Sequence, residues 1–122
     1  MSVIQYLLDE NVTPVLRTAL HQECPDMVLW YVGEAGVLHK GTLDPEILVW
    51  YEQNETILVT NNRASMPVHL QDHLTKGRHI PGVFVLNMKM SIRQTVEELS
   101  FIWKLAEPDM YIDQIRFMPI FR

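Results

Sequence analysis

Thr56-Ile57-Leu58-Val59-Thr60-Asn61-Asn62-Arg63 is the stretch whose reading decides the fold. Residues 56–60 are β-branched or aliphatic, too few for a helix, and end on a polar junction. An apolar strand without polar alternation belongs to a parallel sheet covered on both faces. Upstream, Val3-Ile4-Gln5-Tyr6-Leu7-Leu8 is a second such strand, ending at Asp9-Glu10-Asn11. Thr13-Pro14 then opens a helix, because threonine caps free N–H groups and proline loses nothing at the first position. That helix runs to Cys24-Pro25, and Met27 to Val32 reads as the next strand. Gly33 to Gly41 reads as a loop, and Asp44-Pro45 repeats the helix-start signal with Ile47, Leu48 and Tyr51 behind it. Downstream, Ser65 to Thr75 reads as a helix stopped at Lys76-Gly77, and Val83 to Leu86 as a strand. Ser91 and Gln94 form a capping-box pattern before a long helix that Glu107-Pro108 ends. Gln114 to Met118 can form a last strand, which Pro119 suits to an edge. Strand and helix alternate throughout, so the expected fold is α/β, with a mainly parallel sheet of about five strands and helices on both faces.

Composition bounds the rest. At 122 residues the chain, 1–122, is expected to be a single domain. With 48% hydrophobic and 20% charged residues it is neither disordered nor low in complexity. No apolar run is long enough for a membrane span, and the N-terminus lacks the basic start of a signal peptide. One cysteine, Cys24, provides no disulfide framework and fits a reducing cytoplasm. The net charge of −5 disfavours coating nucleic acid by bulk electrostatics. Its distribution is uneven: residues 1–62 carry nine acids against Arg17 and Lys40, whereas residues 63–93 carry five bases against Asp72.

The acidic part contains the candidate metal ligands. Asp9, with Glu10 beside it, ends a strand, and Asp44 and Glu46 start a helix. A strand end and a helix start can converge on one hard cation, which takes oxygen ligands and can activate water. Asp44 would equally serve as a helix cap, with acids in the first turn suiting the helix dipole. A second group is His69 and His73, one helical turn apart, with Asp72 between them and His79 beyond. Their spacing is compatible with zinc, but no H-E-x-x-H pattern or cysteine cluster accompanies it, so zinc is not expected. With Asn62 and Arg63 these histidines would alternatively suit metal-free proton transfer on RNA. Lys76 and the Arg78-His79-Ile80-Pro81-Gly82 turn supply phosphate binders, or merely a helix-to-strand connection. Trp30, Trp50 and Trp103 are expected in the core.

Leu7-Leu8-Asp9-Glu10-Asn11, Asp44-Pro45-Glu46-Ile47-Leu48 and Ile57-Leu58-Val59-Thr60-Asn61-Asn62-Arg63 together resemble the short PIN-like domains related to toxin ribonucleases. The correspondence spans about residues 3–87, some two-thirds of the chain. It implies a three-layer PIN-like fold and a Mg²⁺- or Mn²⁺-dependent ribonuclease, often the toxin half of a toxin–antitoxin pair. Carried over by motif, Asp9, Asp44 and Glu46 would be catalytic metal ligands, with Asn62 orienting water and Arg63 holding substrate phosphate. The third motif departs from the family pattern Thr-x-Asp-x-Asp: Asn62 and Ala64 stand where carboxylates are usual. An amide oxygen can still ligate but brings no charge, which favours one cation over two.

The expected function is therefore a PIN-like metal-dependent ribonuclease or a weakened derivative, with Lys76, Arg78 and His79 contacting RNA. The alternative is a catalytically inactive PIN-like module that binds RNA or a protein partner such as a small antitoxin. A third reading makes these acids mere caps and surface charges of an unrelated α/β interaction domain. The apolar C-terminal residues Met118, Ile120 and Phe121 would suit a homodimer as well as a core.

Overall fold

A computed structural model describes residues 4–33, 49–50, 56–61 and 66–120. Five strands, β1 (Tyr6–Leu8), β2 (Leu29–Tyr31), β3 (Ile57–Thr60), β4 (Val83–Val85) and β5 (Ile115–Phe117), form one sheet. The order is β2-β1-β3-β4-β5, and every pairing is parallel. Three α-helices have described bounds: α1 (Pro14–Glu23), α2 (Met66–Thr75) and α3 (Ile92–Leu105). Val49 and Trp50 are also helical, while the Asp44-Pro45 start expected for that helix lies outside the described residues. The protein is thus an α/β protein with a wholly parallel sheet, the expected class. Among the described residues no helix is long and apolar enough to cross a membrane.

Local chemistry sets the element ends. Val15 N–H donates to the Thr13 hydroxyl at the start of α1, where Pro14 occupies the first turn. Ser91 and Gln94 close a reciprocal capping box on α3, with bonds of 3.0 and 2.9 Å. Such a cap contributes about 1 kcal/mol. At the end of α2, Gly77 adopts φ +79°, its N–H donates to Leu74, and Arg78 N–H donates to His73. These two bonds satisfy carbonyls that the helix end would leave open, and the left-handed turn favours glycine.

Each face of the sheet carries its own core. On one face Tyr6, Leu8, Val59 and Phe84 pack beneath α1 and α3 through Leu16, Leu20, Leu99 and Ile102. On the other, Leu7, Leu58, Val83 and Val85 pack with Leu70 of α2, and Trp30 and Trp50 join them. The indole rings of Trp30 and Trp50 meet edge to face at 6.2 Å, in keeping with core packing. Cys24 is a buried core thiol, 3.3 Å from the Ser100 hydroxyl. Tyr6 donates its hydroxyl to the Leu99 carbonyl at 2.9 Å, tying β1 to α3. Burial, reinforced by nearby Tyr111, Cys24 and Glu98, pushes this phenol well above its ordinary pKa and keeps it a donor.

Helix α3 is topologically unusual. The β3–α2–β4 and β4–α3–β5 connections step the same way across the sheet, yet their helices lie on opposite faces. The two crossovers therefore have opposite hands, whereas parallel crossovers nearly always share one. A 3₁₀ turn at Pro108–Tyr111, absent from the sequence reading, seats the return to β5. The Tyr111 ring stands perpendicular to Phe84 at 4.9 Å. Beyond β5, Met118 is buried and Ile120 packs on the same core, its N–H donating to the buried Glu98 carboxylate. These two residues are core, and Phe121 lies outside the described residues.

Candidate functional site at the carboxyl edge of the sheet

From β1 the chain turns to α1 on one face, and from the adjacent β3 it turns to α2 on the other. Neighbouring strands whose connections diverge in this way leave a crevice outside their carboxyl ends, where open α/β sheets bind ligands. Asp9 and Asn61 are the first residues beyond those two ends, and Thr60 closes β3.

Asp9 is only 3% exposed. Its N–H donates to Val59, which extends the β1–β3 ladder by one bond and fixes the backbone. Its carboxylate accepts the Thr60 hydroxyl on Oδ2 and the Glu10 N–H on Oδ1, both at 2.8 Å. A second link joins the two strand ends where the Asn61 side-chain amide donates to the Asn11 carbonyl at 2.8 Å. The carboxylate is therefore oriented from both strands. A carboxylate oxygen is the donor type that hard divalent cations such as Mg²⁺ take, and Asp9 supplies one such group. Glu10 is half-buried in the same turn.

Asp44, Glu46, Asn62, Arg63 and Ala64 lie outside the described residues. Among the described residues no group of three or more His, Cys, Asp or Glu side chains is placed to hold a metal ion. His73 is buried and His69 half-buried on α2, while Asp72 pairs with Lys76 at 3.1 Å on the exposed face.

Lys76, Arg78 and His79 are not brought to Asp9. Helix α2 carries the chain from the carboxyl ends back to the amino ends, and the turn after it leads directly into β4. Its bonds show the placement, since Leu58 N–H donates to Gly82 and Val83 N–H to Gln114, both at strand starts. These three residues sit at the opposite edge of the sheet. There His79 Nδ1 lies 2.7 Å from Asp113 Oδ2, while Asp113 Oδ1 accepts Ile80 N–H at 2.9 Å. The aspartate thus ties the turn before β4 to the turn before β5.

Burial pulls the Asp113 carboxyl upward, but the hydrogen bonds from His79 and Ile80, with the nearby imidazole charges, outweigh it and hold the group below its ordinary value. A carboxylate lowered on folding stabilises at pH above its unfolded value and loses that contribution as pH falls through the folded one. Asp113→Asn keeps a residue tolerant of the local φ of +61°. The stability gap between wild type and Asp113→Asn in urea denaturation is expected to be open near pH 6 and to narrow toward about pH 3.

Two residues of consequence escaped the sequence reading. Thr60 stands in the third motif without a role assigned to it, although a hydroxyl ending an apolar strand beside a polar junction is a usable signal. Asp113 gave no local signal, because its partner is 34 positions away. No protein-family model, curated protein or solved structure matches the chain.

Proposed function

We propose that this chain is a PIN-like, Mg²⁺- or Mn²⁺-dependent ribonuclease of toxin type, weakened to a single cation by its altered third motif. The observation that carries the reading is the buried Asp9 carboxylate, held by the Thr60 hydroxyl and the Glu10 N–H at the end of β1, next to the point where the sheet connections diverge. Asp9 with Asp44 and Glu46 would hold the cation, with Glu10 as an accessory acid. When bound, the cation lowers the pKa of its water and neutralises charge on the phosphodiester. Asn62 would orient that water by its amide oxygen, and Arg63 would hold the phosphate. A toxin-type nuclease would have a small antitoxin as its protein partner.

A second reading, a non-catalytic PIN-like module that binds RNA or protein, is favoured by the neutral Asn62 and Ala64. Incubation of purified protein with single-stranded RNA in Mg²⁺, Mn²⁺ or EDTA separates the two. Cleavage that needs the cation and is lost in Asp9→Asn supports the nuclease. RNA binding without cleavage under every condition supports the second reading, and cleavage equal in both chains removes the site.

Thr60 is a positioning residue in this account. Thr60→Val preserves shape but removes the donor to Asp9 Oδ2. It is expected to raise the Mg²⁺ concentration for half-maximal cleavage about 10–100-fold, with Thr60→Ser near wild type.

A further inference from the structure

The basic block of the sequence is divided by the fold between two edges of the sheet. At the amino edge Lys76 pairs with Asp72 and the His79 ring hydrogen-bonds Asp113. At the carboxyl edge, Lys89 and Arg93 follow β4, and Arg93 pairs with Glu97 at 3.1 Å. Lys89 is exposed and has no ion pair among the described residues.

Its backbone is tied to the candidate site. Leu86 N–H donates to the carbonyl of Thr60, the residue whose hydroxyl holds Asp9. From Leu86 the chain makes a tight turn in which Asn87 Oδ1 accepts Lys89 N–H at 2.9 Å, and Met90 N–H donates to the Asn87 carbonyl at 3.0 Å. Ser91 then caps α3, whose positive dipole end faces the same edge. Strands in a sheet lie about 4.8 Å apart, so the end of β4 is about 10 Å from the end of β1 across β3. Met88, 76% exposed beside it, offers an apolar surface to a nucleobase.

We propose that Lys89 binds a backbone phosphate of single-stranded RNA flanking the one at Asp9, so that the strand runs across the carboxyl ends of β1, β3 and β4. This rests on the nuclease reading for the identity of the substrate. The amino-edge cations Lys76, Arg78 and His79 take no part in that path.

The test is binding of a fluorescently labelled single-stranded RNA by anisotropy, in EDTA and across a series of KCl concentrations. Each phosphate contact to a single strand adds about 0.7 to the slope of log affinity against log salt. Lys89→Ala is expected to weaken binding several-fold and flatten the slope by about that amount. Lys89→Arg should retain both, and Lys104→Ala, on the far end of α3, should change neither. An unchanged slope in Lys89→Ala, an equal change in Lys104→Ala, or no RNA binding by wild type overturns the proposal. Cleavage by wild type is scored separately. A Lys89-dependent slope without cleavage overturns the nuclease reading alone, and cleavage with a Lys89-independent slope overturns the Lys89 assignment alone.

Discussion

Asp9→Asn is expected to reduce cation-dependent RNA cleavage about 100-fold or more while leaving the fold intact. The two expectations come from different atoms of one side chain. The amide matches the carboxylate in shape, and its oxygen can keep accepting Glu10 N–H. The Thr60 hydroxyl, a donor to Asp9, can rotate to accept from the new amide nitrogen. Stability should therefore change by no more than about 1 kcal/mol, because both of these hydrogen bonds can be kept. Under the proposed reading the cation would lose a negative ligand from a set that the third motif already leaves short of charge, since Asn62 and Ala64 contribute none. Cleavage rates over a Mg²⁺ series, with urea denaturation of both chains, check the two halves together. A stable Asp9→Asn chain that cleaves at the wild-type rate would contradict the role of this carboxylate.

Gly82→Ala is expected to cost about 3 kcal/mol, the largest stability loss of any substitution considered. Gly82 immediately precedes β4 and adopts φ +143°, a conformation open to glycine and strained for any residue with a Cβ. An added Cβ would lie 2.9 Å from Tyr111 Cβ and 3.0 Å from the Tyr111 carbonyl oxygen. Neither atom is the free end of a flexible side chain. Tyr111 is held by its packing on Phe84, and the Gly82 carbonyl accepts Leu58 N–H within the sheet. Relief would have to displace either the 3₁₀ turn or the start of β4. The midpoint of urea unfolding measures the loss, and a midpoint within error of wild type would contradict the close approach. Gly77 makes the comparison instructive, because it has a positive φ but open space around its Cβ position. Gly77→Ala should show the backbone strain alone and cost less.

Much of the architecture was legible because the relevant signals are local. Apolar runs at Tyr6–Leu8 and Ile57–Thr60 marked buried parallel strands, and Thr13-Pro14 and Ser91-Gln94 marked helix starts that the bonds reproduce. The face chosen by α3 was not legible. Both sides of β4 are apolar, with Phe84 on one and Val83 and Val85 on the other, so periodicity cannot say which side the next helix covers. The edge occupied by Lys76, Arg78 and His79 was not legible for a different reason. Charge counted along the chain ignores that a helix-to-strand turn in a parallel sheet always returns to the amino ends. Asp9 was legible as a polar residue ending a strand, but its orientation by Thr60 joins residues 51 positions apart. Lys89 belongs to the same basic block as Lys76, and the passage of the chain through β4 separates the two.

The central claim is that Asp9 anchors a single divalent cation at the carboxyl edge of β1 and β3. Titration of the purified chain with Mn²⁺, followed by the loss of the free-ion electron paramagnetic resonance signal, tests it without reference to any RNA. The account predicts one Mn²⁺ bound per wild-type chain, displaced by Mg²⁺ and lost in Asp9→Asn. No bound Mn²⁺ in wild type, or equal binding in Asp9→Asn, would contradict it.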